Sequence, residues 1–109
     1  MNQDNYIYID SDLSVSSEAL AEMAKRYHIK RITLFGSAAR DQLTPASDID
    51  LLVEFGEGKA PSLGDMVEIN DVFSALLGGR KVDIATPTIL NNPYRRREIE
   101  KDMEILYAA

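Results

Sequence analysis

From Asp48 to Phe55 the chain alternates without a break: Ile49, Leu51, Val53 and Phe55 fall on one parity, and Asp48, Asp50, Leu52 and Glu54 on the other. Period two is the signature of a β-strand, which sends successive side chains to opposite faces. The unbroken apolar parity has to face a core, so Asp48 and Asp50 point away from it, side by side at the strand start. Two adjacent carboxylates repel each other unless a shared proton or a cation relieves them. This strand therefore constrains both the fold and the chemistry.

The rest of the chain supplies a frame for it. Tyr6 to Ile9 reads as a short strand or an N-terminal arm within residues 1–12. Ser14, Ser16 and Ser17 offer N-caps for a helix whose face is Leu20, Met23, Ala24 and Tyr27, with His28 at its end. Lys30 to Phe35 reads as a strand, and Gly36-Ser37 is expected to open a short helix through Arg40. Thr44 to Ser47 is a turn, and Gly56 to Lys59 a connector without the spacing of a phosphate loop. Pro61-Ser62 starts a helix with Met66, Ile69, Phe73 and Leu76 on its apolar face, and Gly78-Gly79 stops it. Lys81 to Ala85 is a third strand, with Asp83 on the face opposite Val82 and Ile84. A last helix is expected from Tyr94 to Leu106, burying Ile99, Met103 and Leu106. The class is α/β (α+β), a small mixed sheet flanked by helices. At 109 residues the chain is expected to be a single domain.

Asp83 makes a third carboxylate. If its strand neighbours that of Asp48 and Asp50, the three form a cradle for Mg²⁺, which takes oxygen ligands and usually one or two carboxylates plus phosphate. A glycine at the strand end, Gly36, lets a phosphate approach the backbone, and the expected helix start would add N–H groups and the Ser37 hydroxyl. Arg40 either touches phosphate or braces the loop against an aspartate. Ser47 suits a turn former as well as a nucleotide contact.

Leu34-Phe35-Gly36-Ser37-Ala38-Ala39-Arg40, followed by Ser47-Asp48-Ile49-Asp50-Leu51-Leu52-Val53, resembles the signature of the DNA polymerase β-like nucleotidyltransferase superfamily. Ten residues separate Ser37 from Asp48, as in its Gly-Ser-x10-Asp-x-Asp pattern. Asp83 matches the third carboxylate, and the small size resembles the minimal nucleotidyltransferases, or MNT domains. Asp41 stands where many MNT sequences carry glycine.

The resemblance implies transfer of a nucleoside monophosphate from ATP to a hydroxyl. Asp48, Asp50 and Asp83 would hold two Mg²⁺ ions, Asp83 would help deprotonate the acceptor, and Gly36, Ser37, Arg40 and Ser47 would bind the nucleotide. MNT proteins are commonly the antitoxin half of a pair with a small helical HEPN ribonuclease, which they silence by adding AMP to a tyrosine. That is the expected function. Two alternatives stand beside it: a module that neutralises its partner by occlusion, and a subunit that modifies a small molecule of the aminoglycoside kind.

Charge narrows the partners. The net charge is -6, with one short basic run, Arg95-Arg96-Arg97, so no direct nucleic-acid binding is expected. An acidic surface suits a basic RNA-binding partner. The basic run reads as a solvated helix face, or as a contact to nucleotide phosphate or partner. The chain has no cysteine and only one histidine, which excludes disulfides and structural zinc clusters. No apolar run is long enough for a bilayer, and a cytoplasmic protein is expected.

Overall fold

The computed structural model describes residues 5–10, 13–40, 42, 44 and 46–109. The ends of the anticipated N-terminal arm (1–4 and 11–12), Asp41 and Pro45 of the expected turn lie outside these residues. Ten elements follow in order. A hairpin of β1 (Tyr6–Asp10) and β2 (Leu13–Ser16) leads into α1 (Ser17–Arg26). Then come β3 (Ile29–Phe35), β4 (Ile49–Phe55), α2 (Leu63–Leu76) and β5 (Val82–Ala85). A 3-10 turn (Pro87–Asn91), α3 (Pro93–Asp102) and β6 (Glu104–Ala108) complete the chain.

The main sheet has the strand order β5-β4-β3-β6. β3 runs antiparallel to β4 and to β6, whereas β5 runs parallel to β4. A parallel neighbour requires a crossover, and α2 provides it. Its start is fixed by a capping box: Ser62 Oγ accepts from Asp65 N at 3.1 Å, and Asp65 Oδ2 accepts from Ser62 N at 3.4 Å. Its end is the expected glycine pair, both residues at positive φ, with Gly79 N donating to Ser74 O at 2.7 Å.

The two sheet faces differ as the β4 alternation demands. Ile49, Leu51 and Val53 are fully buried against Leu20 and Met23 of α1 and Ile69 and Phe73 of α2. The opposite face carries a smaller core, Phe35, Leu52 and Ile99, under α3. That cover reaches Leu52 and stops short of Asp50, so the aspartate end of the face stays open.

Three expectations are corrected. The last helix ends at Asp102. Met103 has extended backbone and is 48% exposed, and Leu106 is buried as a residue of β6. β6 pairs with Arg31 to Leu34 of β3, whose polar backbone would otherwise stand at an open sheet edge. At the N-terminus, Tyr6–Ile9 is a strand and finds its partner in Leu13–Ser16. Ser14 therefore lies in β2, and Ser16 is the cap of α1, its Oγ accepting from Ala19 N at 3.2 Å. The short helix after Gly36 is absent, because residues 36–40 form turns only.

Candidate active site

Asp50 and Asp83 meet because β4 and β5 are parallel in register: Ile49 pairs with Val82, and Asp50 with Asp83. Both side chains rise from the face of the smaller core. Asp48 lies immediately before β4, where Lys81 Nζ stands 3.9 Å from its Oδ2. Burial first, and then the charges of Asp83 and Asp48, raise the Asp50 carboxyl above its ordinary value, while Arg95 and Arg40 pull it down. The site thus concentrates negative charge with incomplete compensation.

Gly36 closes one side. Its φ is +77°, in the left-handed region, and a Cβ there would collide with Asp50 Oδ2 and stand 3.2 Å from Asp50 Cγ. The backbone of this glycine packs directly on a site carboxylate, a close approach additional to the one expected for a phosphate. Ser37 follows in the turn, its carbonyl accepting from Gln42 N at 2.9 Å and from Arg40 N at 3.2 Å. With no helix starting here, donors for a phosphate are the turn's own N–H groups and the Ser37 hydroxyl.

Arg40 stands where it can brace the loop against an aspartate. Its Nη1 lies 3.7 Å from Asp102 Oδ2 at the end of α3, and its Nε donates to Gln42 Oε1 at 3.2 Å. Ser47 is engaged within the turn: its Oγ accepts from Thr44 N at 3.0 Å and lies 2.9 Å from Thr44 Oγ1. Arg80, which sequence reasoning missed, pins the same loop by donating from Nη2 to Thr44 O and, at 3.3 Å, to Ser47 O. Lys81 was missed as well. Only its place two residues before Asp83 hinted at it.

A cleft of about 530 Å³ opens over the carboxylates, lined by Phe35, Asp50, Asp83, Thr86, Thr88 and Arg95 among others. Among the described residues no three acidic, His or Cys side chains converge into a ready-made metal site. The donors present are hard carboxylate oxygens around an electrostatically crowded Asp50. That partial set fits Mg²⁺, which completes its shell with water and substrate phosphate rather than with a protein cage.

Sheet order, carboxylate placement and glycine turn together define a nucleotidyltransferase. The chain belongs to the nucleotidyltransferase domain family, whose model matches residues 16–106. More narrowly, it is 42% identical over 78 residues to the provisionally named protein adenylyltransferase MJ1379 of Methanocaldococcus jannaschii, covering 72% of this chain and 77% of that protein. It is 37% identical over 71 residues to protein adenylyltransferase MntA of Thermococcus cleftensis, covering 65% and 69%. A solved structure described as a provisional minimal nucleotidyltransferase superposes with a TM-score of 0.64 at 33% identity, covering 81% of this chain and 86% of that one. At 17% identity the fold alone is shared with a chain of a tri-AMPylated Shewanella oneidensis HEPN toxin in complex with MNT antitoxin, with a TM-score of 0.56 over 85% of this chain and 70% of that one.

Proposed function

We propose that this nucleotidyltransferase transfers AMP from ATP to a tyrosine hydroxyl of a small helical HEPN ribonuclease and so acts as its antitoxin, in the cytoplasm where ATP is plentiful. The observation that carries the catalytic part is the register pairing of Asp50 with Asp83, with Asp48 beside them. Relatives named for adenylyl transfer to protein support the donor and the acceptor class.

Asp48, Asp50 and Asp83 would hold Mg²⁺, whose charge when bound offsets that of the nucleotide phosphates. The turn at Gly36 and Ser37 receives the phosphate tail, Ser37 through its hydroxyl. Arg40 and Ser47 act on the loop that carries these residues, the first through Asp102 and the second through Thr44. The acceptor hydroxyl loses its proton to the Asp83 carboxylate as its oxygen bonds to the α-phosphorus. The bond from that phosphorus to the bridging oxygen breaks, and pyrophosphate leaves with the electron pair. Positioning and charge complementarity supply the acceleration.

A protein acceptor is favoured over a small polar one by the surface beside Asp83. A groove of about 460 Å³ joins Asp83 and Ile84 to Leu63, Met66 and Val67 of α2. Leu63 is 87% and Val67 64% exposed. Such apolar surface suits an aromatic side chain on a protein better than a polycationic sugar. The test is co-expression with a small helical HEPN protein, the proposed partner, followed by intact-mass measurement of both chains. A gain of one or more AMP units on the partner, lost with Asp50→Asn, is expected. No gain on the partner, with the complex formed, would leave occlusion as the mode of action.

A further inference from the structure

The basic run opens α3, where the helix dipole disfavours positive charge. Its three side chains take different places. Arg96 Nε donates to Glu100 Oε2 at 3.2 Å, one turn along the same helix. Arg97 is exposed. Arg95 lines the cleft that holds Asp50 and Asp83. Among the described residues it belongs to no ion pair within 4.0 Å. Its backbone is held at the helix start: Asn92 Oδ1 accepts from Tyr94 N at 3.0 Å and from Arg95 N at 3.3 Å, with Pro93 fixing the first turn. Thr86 and Thr88 line the same cleft, their hydroxyls 3.3 Å apart.

The cleft is therefore lined by two kinds of group. Asp50 and Asp83 present acceptors only, whereas Arg95, Thr86 and Thr88 present donors. A guanidinium offers several donors in a planar fork matched to phosphate oxygens. A ligand that engages both kinds of group carries a cation toward the carboxylates and an anion toward the arginine, and a metal-chelated polyphosphate meets both demands.

We propose that Arg95, with Thr86 and Thr88 in the same cleft, forms a phosphate-binding subsite for the nucleotide alongside Asp50 and Asp83. This rests on the reading of the cleft as the ATP site. It adds a second phosphate contact, on the side of α3, to the one at Gly36 and Ser37. The alternative for an arginine in such a cleft is stacking on the base, and the ligands below separate the two.

The experiment is calorimetric titration of the full chain, in Mg²⁺, with a non-hydrolysable ATP analogue, with tripolyphosphate and with adenosine. Arg95→Gln is expected to weaken the ATP analogue and tripolyphosphate alike by about tenfold or more, the loss of a charge-assisted hydrogen bond. Arg95→Lys should restore part of that affinity, adenosine should bind as before, and Arg96→Gln and Arg97→Gln should stay within about twofold, as solvated charges do. A merely structural role for Arg95 would lower the melting temperature markedly, whereas little change is expected, because removing a charge that opposes the helix start is offset by losing the attraction of Arg95 for Asp50. Tripolyphosphate bound no more tightly by the wild type than by Arg95→Gln overturns the subsite, as does an equal loss with Arg96→Gln. Loss of the ATP analogue and adenosine together, with tripolyphosphate unaffected, also overturns it in favour of base stacking. If the expected affinities are found and no AMP reaches any partner, the subsite stands and the transferase reading falls.

Discussion

Asp50 of β4 and Asp83 of β5 are direct register partners on parallel strands, although they stand 33 positions apart in the chain. Because facing residues of paired strands share a side of the sheet, both carboxylates are committed to one face. A slip of one residue would turn Asp83 into the main core and bring Val82 or Ile84 out. Register is thus the structural fact on which the candidate site depends.

Removing one of these charges should separate activity from stability. Asp50→Asn or Asp48→Asn is expected to abolish AMP transfer while leaving the fold intact, since neither side chain enters the main core. Asp50 has a folded-state pKa raised above its unfolded value, so its ionised form costs the folded state. The cost is present at pH above the folded value, shrinks as pH falls through it, and is gone below the ordinary aspartate value. Asp50→Asn should therefore raise the melting temperature of the metal-free protein near neutral pH and give no gain in acid. Melting curves at both pH values check this, and an equal gain at both would assign the effect to something other than charge.

Gly36 should tolerate no side chain. Gly36→Ala forces an L-residue into left-handed backbone, at a cost of about 1–2 kcal/mol, and pushes its Cβ into Asp50. Gly36→Val should be worse. Both should lose metal-dependent ATP binding, because the displaced group is the carboxylate itself. A Gly36→Val protein with normal denaturant stability and normal calorimetric affinity would show that the close packing is not there.

Ser37→Ala should weaken ATP use by about 1–3 kcal/mol, the range for a hydrogen bond to a charged group. Steady-state kinetics with ATP as the varied substrate would read this, and an unchanged kcat/KM would move the phosphate contact to the turn's backbone alone.

Leu63→Glu or Val67→Glu should suppress modification of the partner without changing ATP affinity. These side chains are exposed, so the fold loses little, while the groove leading to Asp83 gains a charge that an apolar acceptor segment cannot pair. Intact-mass measurement beside calorimetry with the ATP analogue checks the split. Undiminished AMP addition would place the acceptor elsewhere.

The C-terminal strand gives a stability test. Leu106→Ala should cost about 2–3 kcal/mol as a buried large-to-small change, whereas Met103→Ala, half-exposed at the helix end, should cost less than about 0.5 kcal/mol. A helix through Leu106 would make the two changes equally damaging.

Local pattern was enough for much of this protein. The β4 alternation determines the strand, its buried face and the outward direction of Asp50. Ser62 and the glycine pair after Leu77 determine the limits of α2 to within a residue or two, because caps and left-handed stops are local chemistry. The Gly36-Ser37 spacing to Asp48 carries the family. What sequence could not decide was anything that depends on which strands lie side by side. Ile99, Met103 and Leu106 fit a helical stripe, yet the open edge of β3 draws the last of them into β6. Arg95, Arg96 and Arg97 are alike as letters, and only the packing of α3 beside the 3-10 turn sends the first into the cleft. That Asp83 stands beside Asp50 is a property of the parallel β4–β5 register, and that Gly36 packs on Asp50 is a property of the antiparallel β3–β4 pairing, which sets Phe35 opposite Asp50. Register is set by the summed burial of two faces across distant segments, which no local window contains.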